Sequence, residues 1–245
     1  MHVMSIYNMK GGVGKTATAV NLAYLAAAEG RRTLIWDLDP QGATSFYFRI
    51  KPKVKGGGKK IVRGKSELEN LIKGTDFPNL DLLPADFSYR ELDVRFADHK
   101  QSRLRKLIAP LRNDYDLIIF DCPPSISELS EQVFRAADLL LVPLVPTTLS
   151  LRTLDQIRSF LKKENILNLK VRTFFSMVDR RKKLHRETLE AFAFSEKQHL
   201  SAPIPNSSLV ERMGAERRPV LDFAPRSAPA RSFQELWRQV GLILS

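Results

Sequence analysis

Short, uninterrupted apolar runs alternate with segments of helical period from one end of the chain to the other. Val3–Asn8, Arg32–Asp37, Leu80–Leu83, Leu117–Asp121, Leu139–Leu144 and Val171–Met177 each read as a strand buried on both faces, because apolar residues run on rather than alternating with polar ones. Thr16–Glu29, Leu129–Ala137, Thr153–Glu164, Arg186–His199 and Ser232–Leu244 read as helices. Gly30 stands just past the first of these, where a helix commonly ends in a left-handed residue. Such alternation predicts an α/β protein with a doubly wound, mainly parallel sheet covered by helices on both faces. No internal repeat or linker interrupts it, so residues 1–245 read as one domain.

Composition narrows the setting. With 245 residues, 43% of them hydrophobic, the chain is long enough to fill one large core. Cys122 is the only cysteine, which excludes an intramolecular disulfide and an iron–sulfur cluster held by this chain alone; a reducing, cytoplasmic setting fits. The N-terminal apolar stretch is too short for a signal peptide, and no run is long enough to span a membrane. The net charge of +12 directs attention to polyanions, with nucleic acid first and anionic lipid second, against the plainer alternative of a soluble basic protein. Arg49–Lys65 holds eight Lys/Arg, no acid and the run Gly56-Gly57-Gly58, the composition of a mobile, solvated loop.

The first strand runs into Met9-Lys10-Gly11-Gly12-Val13-Gly14-Lys15-Thr16-Ala17, and a helix follows at once. Glycines at such a junction let backbone N–H groups turn inward around phosphate oxygens. The helix N-terminus adds a favourable dipole, and a lysine and a hydroxyl can reach the terminal phosphates and Mg²⁺. The pattern G-x-x-x-x-G-K-[ST] is not met, because its first glycine falls on Met9; K-G-G-x-G-K-T stands instead, with an extra lysine at Lys10. Asp37 and Asp39, in D-L-D-P-Q-G, follow the second strand, and Asp121 ends the strand L-I-I-F-D. Asp-Pro alone commonly marks only a turn, and an acid at a strand end is often a cap. Cys122 reads as a small buried residue.

Together these segments resemble the deviant Walker A ATPases of the ParA/MinD superfamily, closest to its ParA/Soj-like members, and the resemblance covers nearly the whole chain. It implies a P-loop NTPase fold, ATP and Mg²⁺ as cofactors, and a nucleotide cradle formed by Lys10, Gly11, Gly12, Val13, Gly14, Lys15, Thr16 and Ala17. Lys15 would act on the nucleotide of its own subunit, and Lys10 would reach the one held by a second copy. Thr16 and Asp121 would hold Mg²⁺ with Asp37 in support, and Asp39 would align the attacking water. Ser176-Met177-Val178-Asp179 and Ile204-Pro205-Asn206-Ser207 resemble the family's base-binding segments, which implicates Asp179, Pro205, Asn206 and Ser207. Glu211-Arg212-Met213 departs from the family pattern, and the resemblance is loosest between Arg49 and Asn79.

The resemblance further implies a slow, partner-stimulated hydrolase that dimerises with ATP, meets a separately encoded adaptor and positions or segregates a cargo. Basic residues after the sheet, Arg180, Arg181, Lys182, Lys183 and Arg186, with Arg212, Arg217 and Arg218, would bind double-stranded DNA without sequence preference and associate the protein with the nucleoid. No helix-turn-helix or zinc pattern suggests specific reading. A MinD-like membrane-associated ATPase is the alternative. However, the apolar stripe near the C-terminus carries only Arg231 and Arg238 as cations, which favours a helix packed on the sheet. A reductase like the nitrogenase iron protein needs cluster cysteines that one Cys122 cannot supply. A nucleotide-dependent binding module with little hydrolysis is opposed by Asp39.

Overall fold

In the computed structural model, which describes residues 1–61, 68–96 and 103–244, the apolar runs form one sheet. Its strands are β1 (His2–Ile6), β2 (Thr33–Asp37), β3 (Lys73–Gly74), β4 (Leu80–Leu83), β5 (Leu117–Asp121), β6 (Leu139–Leu144), β7 (Lys170–Phe175) and β8 (His199–Leu200). Their order is β3-β4-β2-β5-β1-β6-β7-β8. Every pairing is parallel except that of β3 with β4. β2, β5 and β6 are buried at every position, as expected of parallel strands covered on both faces.

The two-residue period of a strand divides β5 between two cores: Ile118 and Phe120 face one layer, Leu117 and Ile119 the other. The first layer is closed by α6 (Glu128–Ala136), through Val133 and Phe134, and by α7 (Thr148–Lys163), through Leu154, Ile157 and Leu161. The second is closed by α1 (Lys15–Ala28), through Val20, Ala23 and Ala26, and by α11 (Ala228–Leu244), through Phe233, Leu236, Trp237 and Val240. Alanine at the contacting positions of α1 carries no bulk that would hold the helix away from the sheet. The remaining helices are α2 (Ala43–Tyr47), α3 (Gly57–Ile61), α4 (Leu92–Phe96), α5 (Arg103–Ile108), α8 (Lys183–Ser195), α9 (Ser208–Glu216) and α10 (Val220–Phe223).

Three expectations are corrected. The helix expected over Arg186–His199 ends at Ser195, and His199 opens β8, where it pairs with Thr173 and packs its ring 4.6 Å from Phe175. Nothing local in F-A-F-S-E-K-Q-H breaks a helix, so an edge-strand pairing decided the boundary. The helix expected from Thr153 begins at Thr148, where the Thr147 side chain accepts from the Ser150 N–H. The segment expected to be a solvated loop buries Val54 and Ile61, forms α3 and presses Pro52 against Gly42; residues 62–67 of it lie outside the described residues.

Candidate functional site

Parallel pairing brings the C-terminal ends of β1, β2, β5 and β7 to one edge of the sheet, the position where doubly wound sheets hold ligands. There the chain leaves β1 and turns into α1 through Gly12 and Gly14, both left-handed, with φ of 69° and 88°. A Cβ on Gly14 would sit 2.7 Å from the hydroxyl of Ser176, just past β7, so a side chain here would also have to displace that hydroxyl. Lys15 is buried, and its ammonium donates to the Lys10 carbonyl at 2.9 Å, closing the loop. Burial lowers the Lys15 pKa, and the nearby Asp121 charge pulls it back up.

Asp37 and Asp121 are register partners on β2 and β5, and both are fully buried. The Ser45 N–H and hydroxyl donate to Asp37 Oδ2 at 2.8 and 2.7 Å. The Thr44 hydroxyl donates to Asp121 Oδ2 at 2.8 Å. Oδ1 of each carboxylate has no hydrogen-bond partner. Burial, then the charge of Asp121, pushes Asp37 up to about 8; burial raises Asp121 to about 6 against the Thr44 hydrogen bond and the nearby Thr16 hydroxyl. Two buried acids with unpartnered oxygens call for a shared proton or a cation. Hard oxygen donors of this kind, with the Thr16 hydroxyl beside them, suit magnesium.

Before this edge opens a cavity of about 430 Å³. Of the residues expected at the site, Gly11, Gly12, Gly14, Lys15, Thr16, Ala17, Asp39, Pro205, Asn206 and Ser207 line it. Asp39 is half-buried, lines the cavity, and its carboxylate accepts the Gln41 N–H at 2.9 Å. Val13 is buried beneath the loop. Lys10, Asp37, Asp121 and Asp179 do not line the cavity; the two strand-end acids lie buried, and the carboxylate of Asp179 takes the Arg181 Nε and NH2, both at 2.9 Å. That pairing holds Asp179 down at about 2.

The lining adds residues that were not foreseen: Tyr47, on the short helix beside Asp121, and, at the far end, Met177, Val210, Glu211 and Phe233. Met177 takes a φ of 55°, unusual for a non-glycine residue, which no sequence signal announced. Phe233 was readable only as part of the α11 stripe. Thr44 and Ser45 were also missed, although a polar pair one residue after D-P-Q-G, near the start of a short helix, was a usable sign that the strand-end acids needed donors.

The expected basic residues fall on separate elements. Arg180 is exposed; Lys182 caps α8, Lys183 pairs with Glu187, and Arg186 donates to the carbonyls of Arg180 and Arg181. Around the end of α9, Arg212 and Arg218 share Glu216, while Arg217 lies over the Phe46 ring.

A glycine loop between a central strand and a helix, a buried lysine and paired strand-end carboxylates define a P-loop nucleotide-binding protein with the extra-lysine form of the loop. Residues 1–172 match the protein family described as AAA domain. The chromosome partitioning protein ParA of Caulobacter vibrioides is 31% identical over 251 residues, 98% of this chain and 94% of that protein. The chain belongs to the ParA family of P-loop ATPases. Among solved structures, cobyrinic acid a,c-diamide synthase of Mycobacterium smegmatis, with bound ATP analog and magnesium, is 27% identical with a TM-score of 0.83, covering 98% of this chain and 94% of that one. McdA of Cyanothece in an ATP complex, 20% identical with a TM-score of 0.84 over 98% of this chain and 96% of that one, shares the fold.

Proposed function

We propose that this chain is a magnesium-dependent ATP hydrolase that dimerises around ATP, binds duplex DNA without sequence preference and positions or segregates a cargo. The carrying observation is the pair of unpartnered oxygens on the register partners Asp37 and Asp121, with Thr16 and Lys15 of the phosphate loop beside Asp121. Magnesium, when bound, supplies positive charge to the β- and γ-phosphate oxygens. The loop N–H groups and Lys15 orient and neutralise the same phosphates, and Asp39 aligns water in the cavity. Lys10 is absent from the lining of its own cavity, which supports a role across a dimer. Hydrolysis would then need two copies and would run slowly until an adaptor completes the site.

DNA as the matrix is supported by the net charge and by Arg180, which has no carboxylate partner among the described residues. The membrane reading is opposed by α11, which buries Phe233, Leu236, Trp237 and Val240 in the core and so has no free apolar stripe to insert. No helix among the described residues is long and apolar enough to cross a membrane. The test compares binding to random-sequence duplex and to anionic vesicles with ATP, ADP and no nucleotide. ATP-dependent, salt-sensitive binding to the duplex alone supports the proposal and a nucleoid location. Binding to vesicles alone replaces it with the MinD-like alternative.

A further inference from the structure

A second concavity of about 570 Å³ adjoins the nucleotide cavity, with α2 as the wall between them: Ala43 and Tyr47 line both. Its floor is apolar, formed by Phe46, Ile50 and Pro52, and its rim carries Arg49, Lys51 and Arg217 with no Asp or Glu in the lining. Arg49 pairs with Asp76, whereas Lys51 and Arg217 have no carboxylate partner among the described residues. Phe46 is 46% exposed, an unusual position for an aromatic ring on a small helix.

We propose that this groove docks a partner peptide carrying one apolar anchor side chain flanked by acidic residues, and that α2 reports its occupancy to the nucleotide site. The inference rests on the reading of the chain as a partner-stimulated hydrolase. Duplex DNA fits the groove poorly, since a phosphate backbone would meet the cations and leave the apolar floor uncovered. An acidic peptide with an aromatic or aliphatic anchor satisfies both surfaces.

The route inward is a single short helix. The Phe46 carbonyl accepts from Arg217 Nε at 3.1 Å, and the guanidinium lies 4.6 Å from the Phe46 ring centroid. The next residues back along α2, Ser45 and Thr44, hold Asp37 and Asp121. Gly42, directly before α2, packs against Pro52 of the groove so closely that a Cβ would lie 2.6 Å from it. A segment seated on Phe46, Pro52 and Arg217 therefore presses on the helix that fixes both buried carboxylates and on the turn that follows Asp39.

The test selects a displayed library of random 12-residue peptides on the full chain with ATP and magnesium. Labelled versions of the winners are then measured by fluorescence anisotropy on wild type, Lys51→Glu and Lys51→Arg. The expected winners place an aromatic or aliphatic residue among Asp and Glu, bind Lys51→Glu at least about tenfold more weakly and Lys51→Arg nearly as well, and change the ATP turnover of wild type. Basic winners, or acidic ones indifferent to Lys51→Glu, overturn the proposal. So does a random duplex that loses affinity for Lys51→Glu when no peptide does, which would give the groove to DNA. A wild type that turns over no ATP would sink the hydrolase reading alone, because anisotropy reads the groove without hydrolysis.

Discussion

At one end of the cavity, consecutive backbone positions and buried charge define the lining; at the other, residues from elements distant in sequence meet. The phosphate end is set by two left-handed glycines, a buried lysine tied to a carbonyl, and two carboxylates each held by neighbouring donors. The far end is assembled from Met177, Pro205, Asn206, Glu211 and Phe233, drawn from α9, α11 and two loops. A rigid end suits a ligand group that is always the same, such as a triphosphate. A composite end suits apolar stacking and a few polar contacts, and its residues can change without disturbing the loop. Substitutions should therefore cost far more at the first end than at the second.

The largest effect is expected from Lys15→Ala, which removes the buried cation aimed at the phosphates. ATP turnover should fall by at least about 10²–10³-fold, measured by phosphate release. Loss of less than tenfold would mean that the loop is not the reaction centre. Next, Gly14→Ala combines a left-handed backbone with a Cβ only 2.7 Å from the Ser176 hydroxyl. It should destabilise the protein by about 1–3 kcal/mol in denaturant unfolding. Adding Ser176→Gly should recover only the part due to the clash.

A third expectation concerns pH in the absence of divalent cations. Asp37 and Asp121 bind protons more tightly folded than unfolded, so the folded state gains stability from them at low pH. That contribution is fully present below about 4, the ordinary carboxylate range, and is lost as pH rises toward 8. Asp37→Asn should flatten this fall in thermal melts, and magnesium with nucleotide should offset it in wild type. A wild-type melting temperature that rises between pH 5 and 8 without cation would contradict the paired burial. The smallest effect belongs to the far end: Asn206→Ala should weaken nucleotide binding by no more than about 1.5 kcal/mol, since its N–H bond to the Val178 carbonyl survives the change. A loss as large as that of Lys15→Ala would erase the difference between the ends.

The same contrast governs what could be read from the chain. Phosphate-binding loops need particular residues at consecutive positions, so Gly11 to Thr16 announce themselves locally. Asp37 and Asp121 were readable because each ends an uninterrupted apolar strand, and parallel pairing then makes them neighbours. The rest of the lining is non-local: Tyr47 and Phe233 lie 186 residues apart and share a cavity only after the sheet has formed. Asp179 illustrates the cost of reading a segment by position alone. Its strand end does reach the cavity through Ser176 and Met177, but its own carboxylate turns to Arg181. Likewise, local composition in Arg49–Lys65 suggested solvation, while Val54 and Ile61 found apolar partners that are distant in sequence.

Completion of the phosphate site by a second copy of the chain can be read from the solution mass of Asp39→Ala. Sedimentation velocity would be run with ATP and magnesium, with ADP and magnesium, and without nucleotide. A persistent dimer is expected with ATP, where hydrolysis would no longer dissolve it, and monomers in the other two conditions. An ATP-bound Asp39→Ala that stays monomeric at concentrations saturating for nucleotide would contradict it, and would leave Lys10 with no phosphate to reach.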